Sequence, residues 1–314
     1  MQANSKITIS GAKFMEKLKV DLKRNKYIYL MLLPVIAYYI IFCYQPMYGV
    51  TIAFKNYVPN KGILGSDWVG FKYFINFFES RYFLRILKNT LVLSVYSIIF
   101  SFPIPIIFAL LLNELRNTKF KKTIQTITYL PHFISLVIVC GMVLDFTSSA
   151  GLFNKVALLL GKDATLFLMD PKYYRTIYIG SGIWQNFGWG SIIYIAAIAG
   201  VDQELYEASY IDGAGRLRQT FSVTIPGILP TIIIMLILRM GSIMSVGYEK
   251  TLLLYNSLTM DVADIISTFV YRKGLLEANY SYSAAVGLFN NVINCSMLVI
   301  VNKISRTLTE NSLW

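Results

Sequence analysis

Six apolar runs, each long enough to cross a lipid bilayer, leave this chain few folds to choose from. They lie near 27–46, 89–112, 123–146, 176–199, 227–246 and 281–302. Crossing about 30 Å of hydrocarbon takes roughly 20 residues of helix. In that medium every backbone N–H and C=O must find a partner within the protein, which admits helices and closed barrels alone. The runs are apolar on most faces and lack the alternation of barrel strands, so helices are expected. The fold class is therefore all-α, a polytopic membrane protein with six transmembrane helices. Pro34, Pro103, Pro105, Pro131 and Pro230 fall inside or beside these runs, where neighbouring helices can re-satisfy the freed carbonyls. A soluble helical core fits poorly, because 15% of residues are charged against about one quarter in soluble domains. The first run is long and bulky, and Gln45-Pro46-Met47-Tyr48 follows it in place of a small-x-small cleavage site. It is expected to remain as a span.

Charge sets the expected orientation. Residues 1–26 hold seven Lys/Arg against Glu16 and Asp21, and the short connection 113–122 holds Arg116, Lys119, Lys121 and Lys122. Basic residues in short connections stay cytoplasmic. Both termini and the break after the fourth run are thus expected inside, in a multi-pass protein of the plasma membrane. The three outer connections together hold thirteen Lys/Arg, but spread over longer segments, which count less. A net charge of +12 does not point to nucleic acid, since the basic residues lie on both faces without an aromatic-basic groove. Anionic membrane lipid is the partner expected for the basic tail.

Cys43, Cys140 and Cys295 each fall singly in an apolar run and read as small core residues, not as a disulfide framework or metal site. His132 is the sole histidine. Its setting, Tyr129-Leu130-Pro131-His132 in the third run, suits a structural or pore-lining role. No catalytic or metal-ligating set is expected. Gly161-Lys162 is followed by Asp163 and lacks the upstream glycine of a phosphate loop, so ATP hydrolysis is not expected of this chain.

The chain divides into a basic tail, 1–26, with a helix expected over 14–25; a first transmembrane helix and outer loop, 27–70; a transmembrane core, 71–302; and a tail, 303–314. The aromatic segment 68–78 suits a membrane interface. Short amphipathic helices are expected at 151–160 and 262–272, capping the outer face.

The polar break between the fourth and fifth runs reads EASYIDGAGRLRQTFSVTIPGILP over 207–230. Glu207 is expected to begin a short helix, where the helix dipole favours a carboxylate that can still meet a partner's basic residue. Gly213 and Gly215 permit the chain to turn between two helices. Pro226 is expected to stop the second helix and Pro230 to restart the next span. A rigid helix pair of this kind could transmit displacement into the spans, whereas a floppy loop could not. The stretch resembles the EAA…G…I-x-LP cytoplasmic loop of bacterial ABC importer permeases. Ser209 stands for the second alanine, and Val223 and Ile225 for the isoleucine and leucine. The resemblance implies a type I importer permease core, with Glu207, Ala208, Ser209, Asp212, Gly213 and Pro226 docking on an ATPase subunit. Asn89-Thr90-Leu91 after an aromatic segment is similar to the entry of that family's core. Leu30-Met31-Leu32-Leu33-Pro34, the 44–49 segment and Gly247-Tyr248-Glu249-Lys250 are similar to the oligosaccharide and polysaccharide permease B group of Gram-positive bacteria.

In the fourth run, Trp184-Gln185-Asn186-Phe187-Gly188-Trp189 places an amide pair beside two indoles. Trp184 shares a face with Gly188, and Gln185 with Trp189. Amides are costly against lipid and should turn inward, where they could bind a sugar or glue helices together. The likeness to maltose-type permeases implies substrate contacts at Gly182, Gln185, Asn186 and Trp189. In the fifth run Arg239, with Ser242 and Ser245 one turn on, is a substrate-path candidate, because an arginine within a span is expensive. It could face an anionic sugar or pair with Asp145. Asn290, Asn291 and Asn294 in the last run suit helix–helix hydrogen bonds.

The resemblance implies import of oligosaccharides or polysaccharide fragments by alternating access. It also implies a second, non-identical permease, two ATPases that bind ATP and magnesium, and an extracellular lipid-anchored solute-binding protein. No cofactor is expected on this chain itself. Import of a non-sugar solute is the nearer alternative. An ion-coupled secondary carrier is the more distant one, since beyond Asp145 at a span end no buried acid is expected.

Overall fold

The computed structural model describes residues 20–309 and 312–314. Helices dominate, and the sheet among the described residues is one antiparallel pair, Lys55–Asn56 with Asp67–Trp68, after the first span. Five helical stretches are long and apolar enough to cross a membrane: Lys26–Phe54, Phe83–Asn113, Leu136–Leu159, Arg216–Met240 and Tyr280–Thr307. Pro171–Ala199, 29 residues long, completes the six. Gln185, Asn186 and its glycines make it less apolar than the others.

Three spans carry a widened turn just ahead of a proline, for a common reason. A proline ring collides with the carbonyl four residues back and has no N–H to offer it. The π turns Tyr39–Tyr44, Ser97–Ser101 and Thr220–Thr224 each end two residues before a proline, namely Pro46, Pro103 and Pro226. The residue between bonds five back: Gln45 to Ile40 O, Phe102 to Ser97 O and Ile225 to Thr220 O. The wide turn moves the offending carbonyl aside, and the helix continues. The third run breaks instead. Thr118–Tyr129 yields to a 3-10 turn, Leu130–Phe133, and Leu136–Thr147 restarts beyond an extended Ile134. The single helix expected over 123–146 is therefore two, hinged around Pro131 and His132.

The molecule has two distinguishable sides. The loop side carries the turn after Asn113 and the helices Gln203–Ile211 and Arg216–Gln219. The cap side carries Lys72–Phe78, Leu152–Leu159, Tyr248–Leu254, Met260–Ala263 and Ile266–Tyr271. On the cap side Leu93, Tyr174, Tyr178, Leu254 and Ile265 pack together, beside an aromatic group around Phe77, Phe269 and Tyr282. On the loop side Ala109, Tyr194, Ile198 and Ile228 join the second, fourth and fifth spans. The first span buries no residue over Lys26–Tyr38 and reaches the rest through Tyr48–Phe54, which packs on Tyr280–Thr309.

Several expectations need correction. Cys140 is a core residue, but Cys43 and Cys295 are exposed, because the outer face of a span is itself apolar and can carry a cysteine toward lipid. Asp145 is exposed, and the buried acid is Asp264, fully buried on the cap side, ion-paired with Arg272 at 2.7 Å and within 3.7 Å of Arg85. The amphipathic helix expected over 262–272 is split at the extended residues Asp264 and Ile265, which turn that carboxylate inward. The helix expected over 151–160 is present as Leu152–Leu159. That expected over 14–25 begins outside the described residues, and residues 20–24 are helical. The sixth span continues past 302 to Thr309.

Candidate functional site

Two regions bring the expected site residues together, one at the loop side and one mid-span. At the loop side, Asp202 caps Gln203–Ile211 by accepting from the Glu204 N–H at 3.0 Å. Glu207 therefore lies at the middle of this nine-residue helix and does not begin it; the acid in the first turn is Glu204. The helix ends on Gly213 at φ +78, with the Gly213 N–H bonded to Tyr210 O and the Ala214 N–H to Ser209 O, both at 3.0 Å. These are the two bonds of a Schellman stop, which a left-handed glycine permits. Asp212 donates its N–H to Ala208 O within the same turn. Gly215, extended, then leads into Arg216–Gln219.

From Arg216 the chain is helical without interruption to Met240. Pro226 does not stop the helix, because the π turn at Thr220–Thr224 absorbs it, and Pro230 sits inside the span. Tyr206 and Thr224 share a hydroxyl hydrogen bond of 2.9 Å, pinning the first helix to the base of the fifth span. Arg216 pairs with Glu114 at 3.2 Å, reaching the end of the second span. The Arg216–Glu114 pair was not legible, since its partners lie 102 positions apart along the chain. Both partners of the last pair are half-exposed, so Glu114→Gln is expected to cost less than about 1 kcal/mol, read as a small fall in denaturation midpoint. Glu207 and Ala208 are exposed, as are Leu205, Tyr210, Ile211, Leu217 and Phe221.

Mid-span, a cavity of about 610 Å³ opens between the second, fourth and fifth spans. Gly182, Gln185, Asn186, Arg239 and Ser242 all line it. Ser245 lines a smaller adjoining space of about 90 Å³ that shares Ser97, Tyr178, Arg239 and Ser242 with it. Gln185 is 8% exposed and donates to Ile134 O at 3.3 Å, across the break in the third span. Asn186 donates to Gly182 O at 3.0 Å, and its Oδ1 lies 3.1 Å from His132 Nδ1. Trp189 does not line the cavity: its ring stacks on His132, centroids 4.7 Å apart and planes 3° apart. Trp184 faces a separate, apolar groove with Met142, Phe146 and Phe153. In the sixth span Asn294 accepts from the Met244 N–H at 2.8 Å and donates to Ser245 Oγ at 2.9 Å, the helix–helix role expected of it.

The partner of Arg239 is not Asp145. Its guanidinium donates to Ser97 Oγ on the second span. A second cation, Lys250, lines the cavity and was not singled out as a site residue. It stands in the cap helix Tyr248–Leu254, outside the spans, and is 7% exposed. Its Nζ donates to Tyr178 O at 2.7 Å and sits 4.8 Å from the Tyr178 ring centroid. Burial pushes its ammonium down to about 8. The one available signal was a lysine just past the fifth run, which nothing in the local pattern turns inward.

Residues 77–309 match the family described as binding-protein-dependent transport system inner membrane component. Protein LplB of Bacillus subtilis (strain 168) is 45% identical over 93% of this chain and 92% of its own length. The polygalacturonan/rhamnogalacturonan transport system permease protein YteP of the same organism is 43% identical over 95% of this chain and 94% of its own. Among solved structures, a chain of the bacterial alginate ABC transporter, in complex with an alginate pentasaccharide-bound periplasmic protein, superposes with a TM-score of 0.88. That match has 42% identity and covers 95% of this chain and 100% of the other.

Proposed function

The chain belongs to the family of binding-protein-dependent transport system inner membrane components, and from that premise we propose that it imports oligosaccharides as the permease subunit of an ATP-driven transporter. A permease of this kind is not an enzyme, and the ATPase is a separate subunit. The substrate class is supported by the likeness to a polygalacturonan/rhamnogalacturonan transport system permease and to the alginate ABC transporter. It is also supported by the cavity, where amides, serines and two tyrosines offer hydrogen bonds to hydroxyls.

The observation that carries the coupling reading is the continuity of Arg216–Met240, with the Gln203–Ile211 helix pinned to its base through Tyr206 and Thr224. A push on the exposed faces of these helices becomes a displacement of the fifth span, which carries Arg239 into the cavity. In this reading the loop side is cytoplasmic, as are both termini, and two ATPases holding ATP and magnesium dock on Glu207, Ala208, Ser209, Asp212 and Gly213. Pro226 and its π turn transmit their closure. A second, non-identical permease completes the path, and an extracellular lipid-anchored solute-binding protein delivers the sugar on the cap side. Alternating access then follows: ATP binding opens the cavity outward, and hydrolysis resets it. Asp264 gives no support to ion coupling, because it lies outside the spans and is already held by Arg272.

Co-purification with the genomic neighbours tests the joint. Wild type is expected to bring down an ATPase, and Gly213→Pro and Glu207→Arg to release it. Proline holds φ near about −65°, so it cannot take the φ of +78 at Gly213. Retention of the ATPase by both variants would overturn the coupling assignment.

A further inference from the structure

We infer that the cavity takes an oligosaccharide bearing carboxylates, and that Lys250 and Arg239 are the cations that receive them. This deepens the importer reading and rests on it. Of the residues lining the cavity, two carry positive charge and none carries negative charge; the adjoining space contributes Arg239 again and no acid. Among the described residues, neither cation takes part in an ion pair: Lys250 is held by a backbone carbonyl and a ring, and Arg239 by a serine hydroxyl.

Lys250, 7% exposed, is a cation without an acid, costly unless an anion meets it, and Arg239 opens onto the same span-lined space. The fold does contain an acid that neutralises a part-buried arginine, as Asp264 does for Arg272 on the cap side. The cavity has none, so its charge is left for a ligand to neutralise. Gly182 leaves room at the ammonium: a Cβ there would lie 3.1 Å from Lys250 Nζ. Nζ spends one donor on Tyr178 O, and a lysine has three. The guanidinium of Arg239 likewise keeps donors beyond the one given to Ser97, in a fork that suits a carboxylate. Hydroxyls of the same sugar meet Ser242 and the amides, which carry no charge preference.

The test uses the full transporter in proteoliposomes, comparing uptake of a galacturonate oligomer of defined length with uptake of its methyl ester. Wild type is expected to favour the acid. Lys250→Gln and Arg239→Gln are each expected to lower uptake of the acid by roughly tenfold or more, the worth of a hydrogen bond to a charged group. Uptake of the ester should fall by a much smaller factor, and Lys250→Arg should keep the preference for the acid. Ser242→Asp adds a negative charge beside Arg239 and should depress the acid more than the ester, even if the lysine variant assembles poorly. Equal uptake of both sugars by wild type would overturn the substrate class and leave sugar import standing. Equal losses of both sugars in the variants, or none, would overturn the assignment of Lys250 and Arg239. No carbohydrate uptake at all would bring down the importer reading and this inference together.

Discussion

Asp264→Asn is expected to destabilise the purified protein by about 3–5 kcal/mol, the usual consequence of leaving one side of a buried ion pair uncompensated. Asp264 is fully buried; it accepts from Thr268 Oγ1 at 2.8 Å and from Arg272 Nη2 at 2.7 Å. Arg85, on the second span, pairs with Asp261 at 2.7 Å and approaches Asp264 as well. Around them Asn89 donates to the carbonyls of Asp261 and Asp264 and accepts from Arg175 of the fourth span. Thr90 accepts the Ile266 N–H. The carboxylate is thus the counter-ion of a junction that ties the cap to two spans. Asparagine keeps the shape and an acceptor but leaves Arg272 without its anion. Pairing Asp264→Leu with Arg272→Met should recover much of the loss, because neither charge is then stranded. Denaturation midpoints in detergent decide the matter. An unchanged midpoint in Asp264→Asn would show that the junction does not hold the cap.

Gly188→Ala should damage the core more broadly. A Cβ at this position would lie 2.2 Å from Thr128 O, 2.6 Å from Thr128 C and 2.9 Å from Thr128 Cβ, so the obstacle is largely backbone. The fourth span would have to move off the third, and overpacking of this kind costs typically about 1–3 kcal/mol. Function should suffer further, since three interactions straddle that crossing: Gln185 to Ile134 O, Asn186 with His132, and the Trp189–His132 stack. Two neighbours serve as controls. A Cβ at Gly190 would meet Pro105 side-chain carbons at 3.3 and 3.5 Å, and one at Gly180 meets nothing within 4 Å. Transport and denaturation midpoint should therefore fall most in Gly188→Ala, less in Gly190→Ala and hardly at all in Gly180→Ala. A flat series would remove the close crossing as a determinant of this fold.

Residue by residue, legibility followed how local each feature is. The π turns were not foreseen as such, although prolines flagged three of their positions. A proline announces a conflict with the helix, but whether the helix widens or breaks depends on what packs around it: Pro226 is absorbed and Pro131 is not. Gly213 was readable because a short polar break with a glycine demands a turn. The helix start was misjudged at Glu207 because Asp202, five residues upstream, makes the better cap. Asn294 acted as helix glue as expected. Trp189 sat on the right helix, but its partner proved to be His132 on the adjacent span.

Run length and motif spacing are relations among near neighbours along the chain, and they were enough to establish a helical membrane protein with a turn between two helices after its fourth span. Which side chains meet was decided by helix rotation and crossing, set at contacts such as Gly188 on Thr128. Those contacts bring Lys250 to a carbonyl 72 positions away and leave it beside Arg239's cavity without an acid. They also bring Asp264 to Arg85. Charges so far apart in sequence carry no local signature of pairing or of its absence, so the cationic character of the cavity emerged with the tertiary structure.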